Sequence, residues 1–365
     1  MKANLFRWGL GIKRARCPMM IMAVILGIAA GCSDNKSLDS PPVKAPYNVV
    51  INVYAADTNH TDNLYLLTVS GDSDVVVDSQ AFADMVTDMA FSRDERRAYF
   101  INPHRGHKEI TITDWPVTDT LARYDTISSE GLSLSEDGQY LLTSLGPVVL
   151  LSAADLTPRY IDTMGLGDAC FLPGKSAFCG HNWRDTVVVV DYGQAPAEVK
   201  RLGLPAPASE SWFINALGAT PGGDSLVIAA YNRTDAKHYI IVARTSTLAI
   251  LSQVEIGPDF HWTRPICHPD GKRVYWYYRG SPWPSTVSGG VYCYDIATGV
   301  LSPILDETVA GVIEPVGMVL APDGAHLYVV CINDLFKIHL PTRQVTRLLP
   351  DKYREHLAMN VVGAM

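Results

Sequence analysis

The chain has 365 residues, with 30 Lys and Arg against 38 Asp and Glu and a formal net charge of −8. That balance argues against nucleic-acid binding, which draws its affinity from cationic side chains set against phosphates. It equally disfavours charge-driven docking onto anionic lipid headgroups.

Lys2, Arg7, Lys13, Arg14 and Arg16 precede an apolar run from Met19 to Ala30, with no acidic residue between them. This is the layout of a secretory signal. The run is about 12 residues long, against the roughly 20 a helix needs to cross the bilayer core, so it routes the chain without anchoring it. It ends in Ile28-Ala29-Ala30-Gly31-Cys32, which resembles a bacterial lipobox, although an aliphatic residue is more usual where Ala29 stands. The resemblance implies removal of residues 1–31 and lipidation of Cys32. The other reading is an ordinary signal peptide with a cysteine near its end. Acyl chains contribute about 0.8 kcal/mol per buried CH₂, so several on one cysteine hold a protein to a membrane without a spanning helix. Ser33 stands where an aspartate would retain an enteric lipoprotein at the inner membrane, which points to the outer membrane. Residues 32–47, polar and proline-rich, read as a flexible lipidated linker. Loss of residues 1–31 removes five cations and no anion, leaving a mature charge of −13.

From residue 48 onward six segments share one pattern of apolar residues, a turn, and an aromatic or aliphatic run. They begin at Met89, Leu132, Ala169, Leu217, Pro265 and Met318, and their turns fall 37 to 53 residues apart. The turn is clearest in Pro269-Asp270-Gly271 and Pro322-Asp323-Gly324. Proline presets φ, the aspartate bonds its own backbone, and glycine accepts positive φ, so two strands reverse into a hairpin. Two further strand-like runs follow each hairpin, as in Thr186–Asp191 and then 197–202. Four short strands per unit point to a β-propeller rather than a sandwich.

Pro269-Asp-Gly-Lys-Arg-Val-Tyr275 and Pro322-Asp-Gly-Ala-His-Leu-Tyr-Val329 resemble the repeat element of YVTN-type and TolB-type (quinoprotein-like) propellers, and Tyr294-Asp-Ile-Ala-Thr-Gly299 resembles their strand-turn. The resemblance covers roughly residues 48–365 and speaks for architecture, since such propellers serve as scaffolds, binding modules and a few enzymes. Three strand-like runs within 49–78 have no hairpin partner, and 358–362 is a lone apolar strand. Joined, they make a seventh blade and remove the open edges of the sheet array. The expected fold is therefore all-β, a seven-bladed propeller of four-stranded antiparallel blades, with six or eight blades as the alternatives.

In that layout the loops between second and third strands gather around the channel on one face, together with the interblade connections. His181 and Trp183 lie on one such loop. Alignment of the repeats isolates the residue just before each innermost strand: Asp88, Gly131, Asp168, Ala216, Arg264 and Gly317. Asp88, Asp168 and Arg264 form a charged set at the channel mouth, with His261 and Trp262 beside Arg264. The set reads either as a site for a charged small molecule, with Arg264 as a bidentate anchor, or as a structural ion pair.

No Gly-x-Ser-x-Gly elbow is present, and no length remains for an α/β-hydrolase domain. His104 and His107 have His-x-x-His spacing but sit beside Arg105 and Lys108, which repel a cation, so no metal is expected and no cofactor motif appears. Mature cysteines 170, 179, 267, 293 and 331 are odd in number. Cys170 and Cys179 flank a turn and read either as a cross-strand disulfide or as two small buried residues. The functional expectation is a lipid-anchored envelope module that binds a protein or glycan partner without catalysis. The alternative is a lactonase-like hydrolase at the channel, built on Arg264, His261 and a carboxylate such as Glu130 or Glu314. Trp183, Trp262 and Trp283 on loops favour the binding module.

Overall fold

The computed structural model of the chain describes residues 47–364 apart from 57–61, 83–85, 87, 93, 95, 105–106, 116, 118, 127–130, 195–196, 205–211, 257–263, 279–288, 311–313, 332–333 and 349–356. Its strands form seven four-stranded antiparallel sheets, arranged as a seven-bladed β-propeller. Blades 2 to 7 span residues 88–126, 131–161, 168–203, 212–256, 266–305 and 315–347. In each of these the strands lie side by side in chain order. Blade 1 combines Asn48–Ala56, Asp62–Ser70 and Val76–Phe82 with the C-terminal strand Leu357–Ala364, which takes the first place in that sheet. The ring is therefore closed by chain ends, as the unpartnered runs predicted, and the closing strand is longer than 358–362. One short helix, Glu307–Ala310, occurs among the described residues.

The hairpins form for the reasons legible in the repeat. Gly138, Gly174, Gly223, Gly271 and Gly324 adopt φ between 66° and 72°, a region that favours glycine. Asp137, Asp270 and Asp323 each accept the backbone N–H two residues on, at 3.0, 2.8 and 2.7 Å. The aspartate thus fixes the turn before the strands pair.

No single core holds the molecule together. Buried side chains divide into seven clusters, one between each pair of neighbouring blades. Alternation along the strands produces this arrangement. Val49 and Ile51 face blade 7 while Val50 faces blade 2, and Phe178 faces blade 3 while Cys179 faces blade 5. A strand packed on both faces reads as a continuous apolar run, which is why Val187-Val188-Val189-Val190 shows no polar alternation. Each fully buried Val, Leu or Phe contributes about 1.5–3 kcal/mol, so every interface stabilises two blades at once.

Candidate functional site

The repeat placed Asp88, Gly131 and Asp168 at one level, and they are the first residues of the first strands of blades 2, 3 and 4. Arg264 lies two residues before the first strand of blade 6. For Ala216 and Gly317 the structure differs from the expectation. Both lie inside longer strands, Trp212–Ala219 and Pro315–Leu320, directly after a register shift. An extra residue in a bulge displaces the strand start relative to the repeat.

Arg264 reaches across from blade 6 to blades 3 and 4. Its Nε and Nη2 both donate to Asp168 Oδ1, at 3.1 and 2.6 Å. At Gly131 of blade 3, a Cβ would stand 2.7 Å from Arg264 Nη2 and would also strike Ser144 Oγ. Glycine leaves room there for the Ser144 hydroxyl and the guanidinium, both of which would have to shift to admit a side chain. Arg264 and Asp168 form an ion pair in which two donors meet one oxygen. Asp168 is fully buried; its Oδ1 also accepts the Ala169 N–H at 2.9 Å, while Oδ2 has no hydrogen-bond partner among the described residues.

Asp88 spends its oxygens on backbone: Oδ1 accepts from Met89 N at 2.9 Å and Oδ2 from Leu132 N at 2.7 Å. The second bond ties blade 2 to blade 3. Burial pushes its carboxyl up to about 6, against the opposing pull of the Arg264 charge and these two N–H groups. His181 pairs directly opposite Asp168 in blade 4. Burial pushes its imidazole down to about 4, with the Asp168 charge pulling the other way. Its Nδ1 accepts the Trp183 N–H at 3.0 Å, so the neutral ring carries its proton on Nε2.

Trp183 has a φ of 60°, a strained conformation for a bulky side chain, costing about 1–3 kcal/mol. The strain sets the indole edge-on to His181, with centroids 4.8 Å apart, and stacks it with Phe213 of blade 5 at 6.4 Å and 27°. Gly167 lets the indole lie against the backbone, since a Cβ there would collide with it. The Arg233 guanidinium lies 5.5 Å from the Phe213 centroid. Trp183, Phe213 and Arg233 thus form an aromatic and cationic shelf across blades 4 and 5. Trp183 and Phe213 are half-buried and Arg233 is exposed.

Sequence reasoning placed Trp183 at this end of the propeller and missed Gly167, Ser144 and Phe213. These lie outside the hairpin motif, and their contacts are made between blades. Cys32, Glu130, His261, Trp262 and Trp283 lie outside the described residues, as does the signal segment. His104 and His107 end two paired strands and stand opposite one another in register; their side chains are outside the description. Glu314 is exposed just before the first strand of blade 7. Cys170 and Cys179 are opposite in register, with Sγ atoms 3.4 Å apart, and are free thiols. No group of three or more His, Cys, Asp or Glu capable of holding a metal ion occurs among the described residues.

No protein-family model matches the chain. No curated protein sequence matches it either. Solved structures do, at low identity. The periplasmic gluconolactonase of Pseudomonas aeruginosa superposes with a TM-score of 0.61 at 15% identity, covering 88% of this chain and 99% of that one. Hydrazine synthase of Kuenenia stuttgartiensis gives 0.59 at 13%, over 76% and 89%. The β-propeller domain of Cps50 (Swd1) from Myceliophteria thermophila gives 0.57 at 14%, over 73% and 87%. These likenesses establish the propeller fold and nothing finer.

Proposed function

We propose that the chain is an extracytoplasmic binding propeller, anchored to the outer membrane through lipid on Cys32, that captures a protein or glycan partner on its loop-bearing face without catalysing a reaction. The observation that carries this reading is the shelf of Trp183, Phe213 and Arg233. Rigid aromatic side chains offer large contact area at small entropic cost and dominate binding energy where they are held in place. Here a strained backbone, a glycine and a histidine hold the indole. The channel groups are largely engaged by the protein itself, with Asp88 held by backbone N–H groups. Asp168 is bound by Arg264, and the His181 Nδ1 lone pair is taken by the Trp183 N–H, so protonating the ring breaks that bond, and burial already pushes the imidazole down to about 4. The lipobox-like Ile28–Cys32 segment and the basic-then-apolar run before it support the envelope location.

One observation favours the alternative, a lactonase-like hydrolase. Asp88, with its carboxyl at about 6, lies within electrostatic range of Arg264 in the channel, a setting in which acid–base residues occur. A periplasmic gluconolactonase is also among the structures of similar fold.

Immobilised wild-type protein and Trp183→Ala, tested for capture of envelope proteins and of arrayed glycans, separate the two readings when lactone turnover is measured in parallel. The expected result is capture weakened by about 30-fold or more in Trp183→Ala, the size of a hot-spot loss of about 2 kcal/mol, with no turnover in either protein. Lactone hydrolysis that disappears in Asp88→Ala would overturn the binding reading. Cys32→Ser is expected to move the protein from the membrane fraction to the soluble envelope fraction.

A further inference from the structure

Below the channel charges, blade 4 carries an arrangement that partner capture does not use. Cys170 of the strand Asp168–Phe171 faces Cys179 of the strand Ala177–His181 in direct register, with the Sγ atoms 3.4 Å apart. The Leu172 N–H donates to the Ala177 carbonyl at 2.9 Å. In an antiparallel ladder, hydrogen-bonded pairs recur every second residue, so Cys170 and Cys179 form the next such pair, with Cα atoms typically about 5.5 Å apart. Disulfides span Cα separations of about 5.5–6 Å most often. A pair in this register falls in the Cα range that disulfides span, and the two side chains project from the same face of the sheet with their sulfurs in contact.

We propose that Cys170 and Cys179 are a redox modification site that closes to a cross-strand disulfide by exchange with a small-molecule disulfide. Cys170 is half-buried and Cys179 fully buried, which sets the order of steps. The Cys170 thiolate attacks one sulfur of the small disulfide, forming a mixed disulfide and releasing one thiolate. The Cys179 thiolate then attacks the Cys170 sulfur, and the second small thiolate leaves. Two protons lost by the cysteines end on the two released thiols, and two electrons pass from the protein to the small disulfide. Cys179 is held well above the ordinary thiol range by its hydrogen bond with Cys170 and by burial, so the second step is slow. Burial likewise pushes the Cys267 thiol up to about 12; it lies within electrostatic range of Cys170 and is the competing partner. The bridge would sit two residues along from Asp168 and His181, on the same face of the hairpin, and would lock the strand pair that presents them.

The experiment supplies the oxidant directly, so its outcome does not depend on export or on any partner, and its failure is distinct from failure of the binding reading. Full-length protein purified under reducing conditions is equilibrated with oxidised glutathione, quenched in acid, alkylated and digested with trypsin without reduction. Cleavage after Lys175 separates the two cysteines, so the bridge appears as peptides 160–175 and 176–184 joined and released by a thiol. The expected result is that joined pair, with both cysteines lost from the alkylated pool. In Cys179→Ala, Cys170 is expected to retain a single glutathione adduct. Full alkylation of Cys170 and Cys179 in the oxidised wild type would overturn the proposal, as would a joined peptide linking Cys170 to Cys267.

Discussion

Two cation–carboxylate pairs each join distant parts of the chain, and they are built differently. At the seam between blades 7 and 1, Lys337 binds Asp74 at 2.6 Å and the Gly71 carbonyl at 2.6 Å, and lies 5.9 Å from the Tyr328 ring centroid. The Tyr328 hydroxyl in turn meets that of Tyr47 at 3.1 Å. The ammonium is surrounded by groups that stabilise it, and the seam acts as a fastening. In the channel, Arg264 directs two donors to one oxygen of Asp168 and leaves Oδ2 without a partner among the described residues, with a second carboxylate, Asp88, within range. Two acids share one cation there. The contrast separates a pair that only holds from a set that retains polar capacity in the channel.

The largest expected effect comes from breaking the channel pair. Asp168→Ala leaves a mostly buried guanidinium without its counter-charge, and removal of one partner of such a pair costs about 3–5 kcal/mol. Denaturant unfolding should report a loss of that order, whereas replacing Asp168 and Arg264 together should cost less than the sum of the single changes. A smaller loss, about 1–3 kcal/mol, is expected for Lys337→Ala, because Asp74 is partly exposed and regains water. A channel pair that costs no more than the seam would remove the distinction between them.

The smallest net effect is the pH dependence of the wild type, in which two contributions of opposite sign meet. Asp88 titrates near 6 in the folded chain, above its unfolded value, so its contribution is fully present below about pH 4 and is lost as pH rises through 6. His181 titrates near 4, below its unfolded value near 6.5, so its contribution is fully present above about pH 6.5 and is lost as pH falls through 4. The two slopes oppose each other over the same interval. Wild-type thermal midpoints between pH 4 and 6.5 should therefore change little. His181→Phe should show a midpoint that falls as pH rises, and Asp88→Ala one that climbs. Parallel curves for the two variants would refute the assignment.

The blade pattern was legible because it is local. Pro-Asp-Gly fixes a hairpin within about ten residues, and aligning the turns placed three first-strand starts to within one residue, since Asp88, Gly131 and Asp168, expected just before the strands, open them. Bulges near Ala216 and Gly317 were not legible, since an inserted residue leaves the motif intact while shifting what precedes it. The charged set could be named but not its geometry, because Arg264 and Asp168 lie 96 positions apart and meet only when the ring closes. Phe213 and Gly167 carry no repeat signal at all. Trp183 stood out by composition, yet its positive φ, which aims the ring, has no counterpart in residue type.

The last strand to be made, Leu357–Ala364, pairs with Asn48–Ala56 near the start of the propeller. Closing a loop of about 300 residues carries an entropic cost of about 5 kcal/mol beyond its constant part, and nothing offsets it until the final residues are present. A chain moving vectorially from its N-terminus therefore cannot finish its first blade during synthesis or passage through a pore. Asn48–Ala56 waits with an unpaired edge for nearly the whole of that journey, when pairing with other chains is most dangerous. Loss of residues 357–364 would make that waiting state permanent, leaving blade 1 with three strands and the edge of Asn48–Ala56 unpaired.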